Sequence, residues 1–326
     1  MLVKLKDLIT IKNGTDYKHL AKGDIPVIGT GGILSYVNKF LYDKEAILLP
    51  RKGSLNNIMF MDQPFWTVDT MFYAIPNYKS VNPIYLYYHL SLINFVRYDI
   101  GSTIPSMTAS LYYSLTIDLP PLEVQNRIAS LLSSIDSQIN RNRTIVKRLQ
   151  VLGMTIYSKN IIGSTFNKMS LKSSITTGKE DANHANSNGE YKFFTCADEP
   201  LLCDDFKFVG KSVLVAGNGN FNVKYYDGKF NAYQRTYIIK NDLIIGNLYY
   251  TLLFNAELFR KKSNGSIIKF ITIEMLNNID IPCFSEKINH VLNKTLFKIN
   301  KINENSYQLK QLKNKLLPLL INQQLI

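Results

Sequence analysis

Four short stretches of this chain have residue types that could do chemistry. Asn82-Pro83-Ile84-Tyr85 is one residue away from the Asn-Pro-Pro-Tyr loop that holds the target amino group in adenine-N6 methyl transfer. Ile84 replaces the second proline, and no glycine-rich loop follows a strand where a methionine-derived cofactor would bind. Pro83 as a helix start is the better account. Gly210-Lys211-Ser212 resembles the end of a phosphate loop, but Asp205 stands where that loop needs its first glycine, so the backbone cradle is missing. Asp204-Asp205-Phe206-Lys207 has the make-up of a nuclease carboxylate–lysine cluster without a companion acid on a convincing neighbouring strand. Gly217-Asn218-Gly219-Asn220 lacks a third glycine and a following helix, and reads as a turn.

Metal chemistry is no better supported. His19, His89, His184 and His290 are scattered, with no pair four residues apart, and Cys196, Cys203 and Cys283 suit no common zinc pattern. No catalytic residue, metal ligand or cofactor is therefore expected, and binding is favoured over chemistry. Three cysteines give no even-numbered disulfide framework, which points to reduced thiols. The start is too polar for a secretory signal, and no apolar run reaches the roughly 18 residues a membrane span needs. A cytoplasmic location follows as an expectation.

The chain has 326 residues, 46% of them hydrophobic, and a net charge of +13. That is enough for two domains with cores of their own. Residues 1–163 hold 17 Lys and Arg against 11 Asp and Glu, and the remainder 21 against 14, so the halves carry +6 and +7. Two equally basic halves suggest two equivalent contacts with a polyanion, DNA being the obvious one.

The elements that must position such contacts are two long helices. After Pro120-Pro121, apolar residues recur at Ile128, Leu131, Ile135, Ile139, Val146, Leu149, Leu152 and Ile156. The steps of three and four residues are those of one helical face. A long helix with an apolar seam wants a partner helix, and the chain supplies one over Phe284 to Leu317, with Ile288, Leu292, Thr295, Ile299, Ile302, Leu309, Leu312 and Leu316. Asn142 falls close to the seam, where a polar residue can fix register. Arg127, Arg141, Arg143, Lys147 and Arg148 are left for a partner or for water. The match between halves extends upstream. Gly14 pairs with Gly178, Gly53 with Gly219, Thr70 with Thr236, and Thr108 with Thr272. The spacing predicts one unit, a mixed α and β module followed by a long helix, written twice as a pseudo-twofold molecule. The bounds expected are 1–119 and 163–282 for the modules, 120–162 and 283–326 for the helices.

The stretch Pro120-Pro121-Leu122-Glu123-Val124-Gln125, then Ile128-Ala129 and Leu131-Leu132-Ser133-Ser134-Ile135-Asp136, resembles the central segment of the specificity (S) subunits of type I restriction–modification systems. Gly14, the Leu48-Leu49-Pro50-Arg51-Lys52-Gly53 stretch and the Gly101-Ser102 loop fall in family order. The second copy departs, with Cys283-Phe284-Ser285-Glu286-Lys287 replacing the Pro-Leu-x-x-Gln part. The resemblance implies an α+β architecture of two target recognition domains separated by two long helices packed as an antiparallel coiled coil. It implies a non-catalytic subunit that reads a split site on double-stranded DNA, the helices acting as a ruler between half-sites. Two modification (M) subunits would bring the methylating chemistry, and restriction (R) subunits could add cleavage. S-adenosylmethionine, ATP and Mg would belong to those partners.

Bases are read in the major groove by Arg on guanine and by Asn or Gln on adenine, while phosphates take Lys, Arg, Ser, Thr and backbone N–H groups. Loops that pair between the repeats are the best candidates. In the first module these give Lys12, Thr15, Lys18, Thr30, Tyr36, Arg51, Lys52, Ser54, Ser102 and Thr103. In the second they give Lys179, Asn183, His184, Asn218, Asn220, Gln234, Arg235, Lys262, Ser266 and Lys269. Arg51 and Arg235 are the first choices for base reading; Lys18, Lys52, Lys179 and Lys262 suit phosphates. Two other readings compete: a stand-alone nuclease or methyltransferase with unrecognised motifs, and a coiled-coil scaffold with protein ligands only.

Overall fold

The computed structural model describes residues 1–99, 101, 104–263 and 270–324. It divides into two compact units, Met1–Ile139 with Leu309–Ile326, and Asn140–Gln308. Each unit holds one module together with part of both long helices. No helix among the described residues is long and apolar enough to cross a membrane.

In the first unit β1 (Leu2–Lys4) leads to β2 (Ile9–Asn13), β3 (Lys22–Gly29), β4 (Gly32–Val37), β5 (Ala46–Pro50), β6 (Met59–Met61), β7 (Trp66–Thr67) and β8 (Met71–Pro76). Then come α1 (Pro83–Ser91), α2 (Ala109–Ser114), β9 (Thr116–Asp118) and the 40-residue α3 (Leu122–Ile161). The strands form sheets of order β2-β8-β5-β6 and β4-β3-β7, while β1 pairs antiparallel with β9. Strand β5, Ala-Ile-Leu-Leu-Pro, is buried along its whole length, as a continuous apolar run predicts. Helix α1 starts where Pro83 fits its first turn, and the Asn82 side chain accepts from Tyr85 N at 3.0 Å.

Side-chain hydrogen bonds tie this module to α3. Gln125 is 1% exposed; its amide donates to Pro120 O at 2.9 Å and its oxygen accepts from Asn82 N at 2.8 Å. One side chain thus satisfies backbone groups at the starts of two helices, which would otherwise be orphaned. Tyr88 Oη donates to Asp136 Oδ2 at 2.6 Å, and Lys313 Nζ reaches both Asp136 oxygens at 2.7 and 2.6 Å. The core is continuous from Ile47, Leu49, Tyr85 and Leu86 of the module to Ile128, Ala129 and Leu132 of α3 and to Leu317, Leu320 and Ile321.

The second unit repeats the plan with β10 (Phe166–Lys168), α4 (Met169–Lys172), β11 (Ser174–Thr177), β12 (Tyr191–Phe194), β13 (Leu201–Cys203), β14 (Phe208–Ala216), β15 (Val223–Ala232) and β16 (Thr236–Lys240). It continues with α5 (Ile245–Ser263), α6 (Ile273–Asn277), β17 (Asp280–Pro282) and the 36-residue α7 (Glu286–Ile321). Among the described residues the main sheet has the order β11-β16-β14-β15-β12-β13, and β10 pairs antiparallel with β17. Strands β11, β16, β14 and β15 repeat the neighbour order of β2, β8, β5 and β6. The core joins Val213, Val215 and Ile239 to Tyr157 of α3 and to Leu292 and Leu296 of α7.

Within each unit α3 and α7 run antiparallel. In the first, residues 128–136 of α3 meet 313–321 of α7. In the second, Asn142 Nδ2 donates to Asn305 Oδ1 at 2.9 Å and to Ser306 Oγ at 3.0 Å, and Asn142 is 5% exposed. The buried stripe of α3 is Gln125, Ile128, Ala129, Leu132, Ile135, Ile139 and Asn142. Leu131 and Leu152, expected in the seam, are exposed instead, as is Leu312 on α7. Apolar spacing marks a helix face without fixing which of its edge positions the partner covers, and these leucines fall beside the packed stripe. Helix α7 also runs past Pro318, beyond the expected end at Leu317. The proline removes one backbone bond, but the burial of Leu317, Leu320 and Ile321 holds the last turn in place.

His89 on α1 has no partner for its buried Nδ1 among the described residues, and burial pulls its pKa down from 6.5 to about 4 against a weaker upward pull from Asp118. The unfolded chain takes up that proton near 6.5 and the folded one only near 4. Between those values the unfolded state binds more protons, so stability is complete above about 6.5 and declines as the pH falls toward 4. At about 1.4 kcal/mol per pH unit, His89→Gln is expected to remove roughly 1–3 kcal/mol of the acid sensitivity of the first unit. Urea unfolding of both proteins at neutral and mildly acid pH measures this; identical pH profiles would refute it.

Candidate nucleic-acid interface

Backbone bonds gather the paired loops at one edge of each module. In the first, Thr15 N donates to Thr67 O at 2.8 Å, Arg51 N to Thr70 O at 2.8 Å, Gly53 N to Pro105 O at 2.8 Å, and Met107 N to Arg51 O at 2.9 Å. Lys52 and Ser106 form a β-bridge. Asn57 Nδ2 donates to Thr30 O at 2.6 Å and so ties in the β3–β4 turn. Asp99 Oδ1 accepts from Gly101 N at 2.8 Å and Ser106 N at 2.7 Å, which holds its carboxyl below the usual range.

The second module repeats this pattern, with some acceptors displaced by one residue from the equivalent position. Gly217 N donates to Arg235 O at 2.8 Å, and Ile271 N to Gly217 O at 2.8 Å. Asn218 and Phe270 form the matching β-bridge. Gly14 N donates to Met71 O at 3.0 Å and Gly178 N to Thr236 O at 2.9 Å. A Cβ on Gly14 would stand 2.0 Å from Val68 O, and one on Gly178 2.2 Å from Tyr233 O, so only glycine fits where these loops cross the neighbouring turn. Gly53 and Gly219 both have positive φ, at +88° and +70°. Thr108 and Thr272 each cap the helix that follows. The shared scaffold carries different side chains: Arg51, Lys52 and Ser54 on one module answer to Gly217, Asn218 and Asn220 on the other.

Lys12, Thr15, Lys18, Lys52 and Ser54 are exposed, Lys12 being on β2 rather than in a loop. Tyr36 stands on β4 and is 50% exposed. Thr30 is half-buried in its turn. Arg51 is half-buried too, its guanidinium 5.8 Å from the Phe72 ring centre and its Nη1 3.4 Å from Asp69 O. In the second module Lys179, Asn183, Asn220, Gln234 and Arg235 are exposed and Asn218 is half-buried. Lys262 falls within α5, at its end. Ser102, Thr103, Ser266 and Lys269 lie outside the described residues. Trp66, read as a core residue, is 8% exposed and donates to Thr15 O at 2.9 Å.

The second module's face is less uniformly basic than the sequence suggests. His184 turns away from the solvent edge: its Nε2 is 2.6 Å from Asp205 Oδ1 and its Nδ1 3.4 Å from Glu180 Oε2. Glu180 also pairs with Lys207, which raises the lysine's pKa, and the hydrogen bond from His184 holds the Asp205 carboxyl low. Asn231, fully buried, donates to Asp205 Oδ1 at 3.0 Å. The carboxylate–lysine stretch at Asp205 thus does have an acidic companion, Glu180. The signal available in the sequence was Glu180 and His184 standing four residues apart.

Residues 1–150 match the model of the type I restriction modification DNA specificity domain. The specificity subunit of the type I restriction enzyme EcoDI of Escherichia coli is 43% identical over 108 residues, 33% of this chain and 24% of that subunit. The MjaVIII specificity subunit of Methanocaldococcus jannaschii is 31% identical over 116 residues, 35% of this chain and 27% of its own length. Each match therefore spans about a quarter of the relative. The crystal structure of a type I restriction–modification S subunit from M. genitalium superposes with a TM-score of 0.69 at 14% identity, over 98% of this chain and 95% of that one. Residues 1–150 thus match the type I restriction modification DNA specificity domain, and the chain as a whole has the fold of the S subunit from M. genitalium.

Proposed function

We propose that this chain is the DNA-recognition subunit of a type I restriction–modification enzyme and that it has no catalysis of its own. One observation carries the reading: two modules with matching β-bridges and matching loop crossings present different side chains at equivalent positions. Such an arrangement suits two readers of two different half-sites better than a nuclease centre or a plain scaffold. Arg51, Lys52 and Ser54 would serve one half-site, and Asn218, Asn220, Gln234 and Arg235 the other. Exposed Lys18 and Lys179 would take phosphates, which position the protein without reading sequence. His184 is committed to its carboxylates and is not among the readers.

Two modification subunits would bind along the helices, where Val151, Leu152 and Phe297 are exposed apolar residues. They would bring S-adenosylmethionine; restriction subunits, where present, would bring ATP and Mg. The complex would act in the cytoplasm, on the DNA there.

Mapping methylated adenines in cells with and without this gene tests the reading directly. A split motif is expected to vanish with the gene. An unchanged methylation map, or methyl transfer by the purified chain alone, would sink it. In the assembled methyltransferase, Arg235→Ala is expected to relax specificity within one half-site by about 1–3 kcal/mol, whereas Lys52→Ala should weaken all sequences alike and lower the salt slope by about 1. Equal effects of both variants on cognate and random DNA would remove Arg235 from the readers.

Helix length would set the gap between half-sites. Removing two heptads from α3 and the facing two from α7 is expected to shorten that gap in the methylated motif while leaving both half-sites intact. A folded variant that keeps the original gap would show that the helices are not the ruler.

A further inference from the structure

We propose that the second module carries a binding site for a divalent cation of the zinc class, held by His184 Nε2, Cys203 Sγ and a carboxylate oxygen of Asp205. One donor atom from each of the three lies within 4.8 Å of the others, and no other such group of His, Cys, Asp or Glu occurs among the described residues. The fold brings them from separate places. His184 ends the short helical turn Ala182–His184, Cys203 ends β13, and Asp205 follows two residues later. Asn186 N donates to Leu202 O at 2.8 Å, which fastens the His184 loop onto β13.

The donor set is mixed: one thiol, one imidazole and one carboxylate. That combination suits zinc rather than calcium or magnesium, which prefer oxygen alone. Around a zinc ion, with bonds of about 2.0–2.3 Å, tetrahedral donors stand roughly 3–4 Å apart. Small side-chain rotations bring the present spacing to that range, the ion replacing the 2.6 Å contact between His184 Nε2 and Asp205 Oδ1. The thiol, on a fully buried residue, would form the floor of the site, and Asp205, 51% exposed, its open side. The thiol proton leaves to solvent on binding. Water would take the fourth position.

The surroundings are those of a supported metal site. Glu180 Oε2 is 3.4 Å from His184 Nδ1, the ring nitrogen that faces away from the ion, which gives a carboxylate–histidine–metal arrangement. Lys207 pairs with Glu180 and fixes it. Asn231, buried within the sheet, donates to Asp205 Oδ1 at 3.0 Å and aims that carboxylate. Each of the two exposed or half-exposed ligands therefore has its own orienting partner. The ion would clamp the loop that bears Lys179 and Asn183 to the β12–β13 hairpin. This inference stands apart from the DNA reading, since the site is complete within the second module.

Cobalt(II) titration of the metal-free full-length chain tests it, because a thiolate bound to cobalt gives a near-ultraviolet charge-transfer band. One equivalent is expected to produce the band, and zinc to abolish it by displacement. Cys203→Ser should lose the band, while Cys196→Ser and Cys283→Ser keep it. Asp205→Asn should weaken binding more than tenfold, and Glu180→Gln, which acts through His184, about 10–100-fold. Absence of the band from the native chain, or its persistence in Cys203→Ser, would overturn the site. Should Cys203→Ser fail to fold, judged by circular dichroism, Asp205→Asn decides, and unchanged cobalt affinity in that exposed variant overturns the site equally.

Discussion

Two ladders of three residues each decide how this molecule is put together. Strand β1 pairs with β9 through Leu2↔Asp118, Val3↔Ile117 and Lys4↔Thr116, and β10 with β17 through Phe166↔Pro282, Asn167↔Ile281 and Lys168↔Asp280. Each ladder brings a module's entry and exit side by side. The helix that follows starts a few residues later, so it leaves the module at a point the module's own first strand fixes. A short two-stranded ribbon is marginal on its own. Here Ile117 and Ile281 are each 2% exposed and belong to the cores that run from module to helix. Ladder and helix therefore stabilise each other, and neither module hangs on a flexible linker.

That closure leaves the opposite loops free to vary. The β-bridges Lys52↔Ser106 and Asn218↔Phe270 and the crossings at Gly14 and Gly178 concern backbone alone, and the caps at Thr108 and Thr272 need one hydroxyl each. Side chains such as Ser54 and Asn220, between these fixed points, are exposed. Arg51 and Gly217 can occupy one scaffold position because what holds the strand end there is the N–H and C=O of the residue, not its side chain. In the second module the β12–β13 hairpin joins the edge of the main sheet, with β12 parallel to β15, whereas the corresponding β3–β4 hairpin of the first module forms a separate sheet, with β3 parallel to β7. Asp205 of the acidic cluster directly follows β13, while Glu180 lies in the loop after β11.

The long helices and the repeat were legible because both rest on periodicity, which survives without knowledge of contacts. Apolar strands such as Ala46–Pro50 were legible for the same reason. Strands β2, β4 and β11 carry Thr10, Lys12, Ser35 and Thr176, which dilute their apolar pattern, and pairing with a stronger neighbour supplies what propensity lacks. Leu131 and Leu152 meet the three-and-four spacing yet are exposed, because spacing alone does not say which positions the partner helix covers. The gathering of Glu180, His184, Cys203, Asp205 and Asn231 was beyond reach of spacing rules. It depends on β12 folding back on β13 and lying beside β15, contacts that no local signal announces.

The polar residues inside the helix pair show what periodicity leaves out. A seam of Ile and Leu alone would pack nearly as well after slipping by a heptad, since burial is non-directional. Asn142 removes that freedom: its amide meets Asn305 and Ser306 in one register, and any slip would leave a buried amide unsatisfied at about 1–3 kcal/mol. Asp136 with Lys313 and Tyr88 does the same in the other unit, at partly exposed positions where a lone ion pair adds little energy. What these groups contribute is less stability than choice among alternatives. For a helix pair proposed to measure distance along DNA, a slip is a worse failure than a modest loss of stability, and polar groups in the seam are the economical guard against it.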